Sequence, residues 1–220
     1  MEGSMPTQTF LNLNYEKQET ILFVAIEEFA NNTFNEASMN RIVKKAKIPK
    51  GSLYQYFKDK KDLYLYLIEI STKKKIEFLE EQAIDVNFDD FFKGFSSLMY
   101  LGVQFSIKHP QLSKLIKHAD QSVEDESIRL MQSANQQFLL QLIEDAQKRK
   151  QLDSRNDAET IAFILNTMTT NFSMYLNQRY SSDYDKEDIL EAIDSVLQAI
   201  LLTSVKVSHL SRNCSATLNR

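Results

Sequence analysis

Glycine and proline are nearly missing from this chain, at four and three among 220 residues. Tight hairpins depend on both, because glycine enters left-handed backbone freely and proline presets turn angles. A chain this poor in both is expected to be helical from end to end. Hydrophobic residues make up 43% of it, enough to fill a core.

The spacing of the apolar residues agrees. Residues 15–31 place Ile21, Leu22, Ala25, Ile26 and Phe29 on one side of a helix, with Glu16, Lys17, Glu19, Glu27 and Glu28 elsewhere on the wheel. After Asn31-Asn32-Thr33, Ser38 fits the N-cap of a short helix whose inner stripe is Met39, Ile42, Val43 and Ala46. Lys47 and Ile48 form a turn. Pro49 disfavours helix in the residue before it and starts a further short helix, through Leu53 to Phe57. Asp59 can cap the next, which runs through Leu63, Leu67 and Ile70 and is long enough to join two domains. Two short helices a few residues apart, braced on both sides, form a helix-turn-helix, an arrangement that periodicity does not separate from any small helical hairpin.

Longer helices are expected over residues 88–108, 124–150, 157–180 and 186–205, with a short one near Leu112, Leu115 and Ile116. The expected fold is thus all-α. Residues 1–14 form a flexible N-terminus, 15–62 a three-helix helix-turn-helix domain, 63–82 a connecting helix within a larger helical domain of 63–207, and 208–220 a flexible tail. The last two helices are apolar over more of their circumference than one core contact requires. Ile193, Leu197, Ile200 and Leu201 are therefore expected at a subunit interface.

The formal net charge of −4 conceals an asymmetry. Residues 38–61 hold Arg41, Lys44, Lys45, Lys47, Lys50, Lys58, Lys60 and Lys61 against Asp59, a balance of +7 that leaves −11 for the rest. Other functions find little support. Cys214 is the one cysteine, which excludes an intrachain disulfide and a cysteine-rich zinc site. The start lacks the basic and apolar regions of a signal peptide, and no apolar run reaches the ~20 residues that span a bilayer, so a cytoplasmic protein with no membrane partner is expected. No glycine-rich phosphate loop and no His-Glu-x-x-His spacing is present, and His109, His118 and His209 are scattered. No enzyme, catalytic residue, cofactor or metal is expected.

The block Pro49-Lys50-Gly51-Ser52-Leu53-Tyr54-Gln55-Tyr56-Phe57-Lys58-Asp59-Lys60 is similar to the Gly-Ser/Thr-Leu-Tyr-x-Tyr/His-Phe-x-x-Lys pattern of the tetracycline-repressor (TetR/AcrR) family. Lys17, Ile21, Leu22, Ala25 and Phe29 also fall where that family has Lys-x-x-Ile-Leu and Ala-x-x-x-Phe. The resemblance covers about residues 16–67, and beyond them only the arrangement of helices is alike. It implies a helix-turn-helix DNA-binding domain, a dimer, and a C-terminal domain that takes a ligand. It also places Ser38 and Lys60 as phosphate clamps. Two departures stand out: Thr33 and Lys47 occupy turn positions where the family commonly has glycine.

Each residue of the block also has a physical role. The first residues of a recognition helix meet base edges in a major groove ~12 Å wide, so Lys50, Ser52, Tyr54 and Gln55 are the readers. Lys50 suits guanine, Gln55 suits adenine, and the hydroxyls of Tyr54 and Tyr56 suit phosphates, although one of these tyrosines can be core. Gly51 allows close backbone approach, and Arg41 is a further contact candidate. A ligand cavity would draw on Phe92, Phe95, Met99, Phe105, Met131, Phe138, Met168, Phe172 and Tyr175, residues that equally suit an ordinary core. The expected protein is a homodimeric repressor of operator DNA, released by a small apolar or aromatic effector. The alternatives are an all-helical oligomeric enzyme or carrier with a basic surface, and a DNA-organising protein without small-molecule control.

Overall fold

The computed structural model describes residues 6–82, 86–122, 126–180 and 184–199, and among them there is no strand. In chain order the helices are α1 (Gln8–Leu11), α2 (Tyr15–Asn31), α3 (Met39–Ala46), α4 (Lys50–Tyr56), α5 (Lys60–Gln82), α6 (Phe91–Lys108), α7 (Pro110–Ser122), α8 (Glu126–Lys148) and α9 (Ala158–Tyr180). A last helix, α10, occupies 186–199. The all-α fold read from the sequence is the fold observed. No helix among the described residues is long and apolar enough to cross a membrane.

Side-chain caps explain where most of these helices start, since each satisfies a backbone N–H that has no partner within the helix. Asn14 accepts from the Lys17 N–H at 2.9 Å, Ser38 from Arg41 at 3.4 Å, and Asp59 from Asp62 at 2.8 Å. Asp90 takes the N–H groups of Phe92 and Lys93, and Asp157 that of Thr160 at 2.7 Å. Asp185 and Asp188 each accept from the other's backbone N–H, a reciprocal box at the head of α10.

The chain divides into two compact units, residues 1–81 with 105–134 and residues 82–104 with 135–220. The expected boundary at residue 62 is not where the division falls, because α5 and α7 belong to the first unit. That unit's core gathers Ile21, Ala25 and Phe29 of α2, Ile42 of α3, Leu53 of α4, Leu63 and Leu67 of α5, and Leu115 and Ala119 of α7. The His118 ring nitrogen Nδ1 lies 3.3 Å from the carbonyl of Phe29, joining α7 to the last turn of α2. The second unit packs Phe91, Phe95 and Met99 of α6, Leu139 and Ile143 of α8, Leu165 and Phe172 of α9, and Ile189, Ile193 and Leu197 of α10.

Three expectations need correction. The segment of residues 6–14 is no flexible leader: Phe10 is fully buried, 5.1 Å ring to ring from Phe57 and 5.8 Å from Tyr56. Thr7 donates its N–H to the carbonyl of Tyr56 at 2.9 Å and its hydroxyl to that of Gln55 at 2.6 Å. Glu28, placed on the outer face by its charge, is 2% exposed. Ile193 and Leu197 are buried in the chain's own core, so they have no surface to offer a second subunit. Ile200 and Leu201, expected beside them, lie outside the described residues.

Candidate nucleic-acid interface

Helix α4 is only seven residues long, and its two sides differ in kind. Leu53 and Tyr56 point into the core, followed by fully buried Phe57. Lys50, Gly51, Tyr54 and Gln55 are exposed, and Ser52 is half-buried at the margin. Because Lys50 and Tyr54, like Gly51 and Gln55, are four residues apart, they make one outward stripe. A Cβ added to Gly51 would meet nothing within 4 Å, so the backbone there is open to close approach. Of the two tyrosines, Tyr54 is 49% exposed, while Tyr56 is 4% exposed with its ring against Phe10. Tyr56 is thus a core residue, which corrects its assignment as a DNA contact.

Helix α3 stands before α4 and is set in place by a carboxylate. Glu28 of α2 accepts from the backbone N–H of Ser38 at 2.9 Å and from Nε of Arg41 at 2.7 Å. Arg41 also donates through Nη2 to the carbonyl of Glu36 at 2.6 Å. Burial raises the Glu28 pKa, but the hydrogen bonds from Arg41 and Ser38 outweigh it and hold the group below the ordinary glutamate value. Arg41, expected at DNA, is therefore bound up in orienting α3. Lys60 is similarly occupied: its ammonium lies 3.3 and 3.2 Å from the carbonyls of Asn35 and Ala37 and 4.7 Å from the centre of the Phe34 ring. Besides the phosphate contact that the resemblance implies, the structure gives it a hold on the α2–α3 connection. Ser38 caps α3 and is half-buried.

The turn between α3 and α4 answers the question posed by Lys47. The residue takes the left-handed conformation, φ 53° and ψ 42°, and the Ile48 N–H reaches back to the carbonyl of Val43 at 3.2 Å. This is the Schellman ending of a helix, here without its usual glycine. Thr33 avoids positive φ. Its N–H and hydroxyl both bond the Glu36 carboxylate, and Asn32 before it is extended.

The nine candidates for a ligand cavity are not brought together. Phe95, Met99 and Phe172 are buried in the second unit's core, and Phe92, Met168 and Tyr175 are packed half-buried against it. Phe105 belongs to the first unit, 5.7 Å from Phe78 and 5.1 Å from His109. Phe138 is 55% exposed, and the side chain of Met131 lies outside the described residues. Sequence reasoning missed Glu28 as a positioning residue, although Ile21, Ala25 and Glu28 follow one another at intervals of four and three on a single buried stripe.

Comparison with known proteins agrees with this geometry. Residues 21–67 match the family described as bacterial regulatory proteins, tetR family. A helix-turn-helix transcriptional regulator of Staphylococcus aureus is 30% identical over 190 residues, which cover 82% of this chain and 92% of that protein. The crystal structure of a TetR family transcriptional regulator from Chloroflexus aurantiacus is 32% identical, with a TM-score of 0.73 over 93% of this chain and 94% of that one. A more distant structure, of the transcriptional regulator FadR from Bacillus subtilis in complex with stearoyl-CoA, shares the fold at 16% identity and a TM-score of 0.66, covering 81% and 95%. A helix-turn-helix with an outward-facing recognition stripe, joined in one chain to a second helical unit and alike over nearly its whole length to such regulators, has one reading: the protein belongs to the TetR family of DNA-binding transcriptional regulators.

Proposed function

We propose that the protein is a repressor that binds its operator as a homodimer in the cytoplasm and leaves it when a small, largely apolar effector binds among the longer helices. The exposed stripe Lys50, Gly51, Tyr54 and Gln55 carries the operator half of this reading. Lys50 and Gln55 read bases, Tyr54 offers a hydroxyl to a phosphate, Ser52 stands at the edge, and Gly51 lets the backbone come close. One seven-residue helix gives little contact by itself. Two copies related by a twofold axis read half-sites ~34 Å apart, or a multiple of it, which is the reason for a dimer. The surface proposed for pairing is α9, where Phe163 and Ile164 are 64% and 40% exposed.

The effector reading is supported by the aromatic and methionine content of the second unit and by the likeness to a regulator solved with stearoyl-CoA. A long acyl chain suits such a lining, and methionine adapts its shape at low cost. Repression is relieved only by a ligand that prefers the non-binding form: moving a balance from 1:99 to 99:1 requires about 5.5 kcal/mol of differential affinity. Linkage then requires operator DNA to weaken ligand binding by the same factor.

The test begins by selecting the operator from random duplex DNA. Stearoyl-CoA and free stearate are then titrated against the protein alone and against its operator complex. Release of DNA, with weaker ligand binding to the complex, supports the proposal. Equal affinity for both forms, or no binding of either compound, overturns it and leaves the family assignment intact.

A further inference from the structure

We propose that Lys47 contacts the DNA backbone, and that its left-handed conformation is retained in this chain for the sake of that contact. Among the described residues only Lys47 and Lys150 take positive φ without being glycine, at 53° and 60°. For a residue with a Cβ that conformation is uphill, and glycine would relieve it at both places. Lys150 shares both the strain and an exposed side chain, so strain alone marks no site. Lys47 differs in its place beside α4, where the described residues give its exposed ammonium neither a hydrogen bond nor an ion pair.

The position supports the same reading. Lys47 is three residues ahead of Lys50, in the turn that leads into the end of α4 from which base edges are read. A backbone flanking the occupied groove passes by that end of the helix. The need for a cation there is increased by the fate of two others in the basic segment. Arg41 is turned onto Glu28 and Glu36, and Lys60 onto Asn35 and Ala37, so neither ammonium nor guanidinium is aimed wholly outward. A chain with a formal charge of −4 that must hold a polyanion then relies on the cations that remain around α4, and Lys47 is one of them.

Lys150 supplies the control. It ends α8 with the same reach-back, from the Gln151 N–H to the carbonyl of Ala146 at 2.9 Å. The experiment measures the full-length protein on short random-sequence duplex DNA over a salt series of about 50 to 200 mM, together with thermal unfolding. Lys47→Gly is expected to raise Tm by ~2–4 °C, the shift that relief of such strain gives in a chain of this size. The same variant is expected to flatten the plot of log K against log salt by about 0.9 for each copy bound. Lys47→Arg keeps the parent slope. Lys150→Gly gains the same stability and also keeps the slope. A Lys47→Gly protein that is more stable with an unchanged slope overturns the proposal. So does an equal loss of slope in Lys150→Gly, because the slope then follows total charge and not a contact.

Discussion

Glu28 brings a negative charge into the helix-turn-helix core at a single point, and the beginning of α3 depends on it. Its folded pKa is lowered: burial acts to raise it, and the bonds from Arg41 and Ser38 prevail. A group with a depressed folded pKa adds stability that is complete above its unfolded value, 4.5, and is lost as pH falls through the folded one. Glu28→Gln is therefore expected to cost about 2 kcal/mol at neutral pH, as charge-assisted bonds are replaced by neutral ones. It should also lose less on acidification than the parent. Urea unfolding at about pH 7 and about pH 4 reads both effects, and parallel losses would show that the carboxylate charge has no part in them. The place of Glu28 was legible in the spacing of its stripe, but its charge spoke for the outer face. The choice between Tyr54 and Tyr56 was not legible to the same degree. Two residues apart on a helix they face different ways, and the one turned inward is settled by Phe10, which arrives from a segment with little helical periodicity of its own.

At the scale of elements, the sequence marked where helices lie more reliably than what covers them. Residues 15–31 and the caps Ser38 and Asp59 are found as expected, because caps and periodicity are local. The broad apolar faces of the last two helices, α9 and α10, were read as a subunit interface, with the named residues on α10. Breadth reports how many neighbours a helix has, not whether they belong to the same chain, and Ile193 and Leu197 find theirs within the second unit. The other helix of that pair, α9, does carry exposed apolar residues, Phe163, Ile164 and Met174. Charging that surface with Phe163→Glu and Ile164→Glu together is expected to give a folded monomer at micromolar concentration. Ile193→Glu places a charge in a closed core and is expected to cost several kcal/mol, enough to unfold the unit. Sedimentation with circular dichroism separates the cases, and a dimeric double variant would move the interface away from α9.

For the molecule as a whole, the DNA-binding unit is not one continuous stretch. Residues 1–81 are completed by α7, whose Leu115 is fully buried among the helix-turn-helix residues and whose His118 meets the end of α2. Leu115→Ala is expected to lower the stability of that unit by about 2–5 kcal/mol, read in chemical unfolding, and to weaken DNA binding although no DNA contact is altered. Unchanged binding and stability would show that the unit closes without α7. The insertion has a consequence for synthesis. A ribosome that has finished the recognition helix has yet to make α7, which packs on α2, so the growing chain carries its reading residues before their unit is complete. A message broken off ahead of residue 119 thus yields a fragment with the whole basic segment and no finished fold, which is unsuited to occupy the operator against the intact regulator.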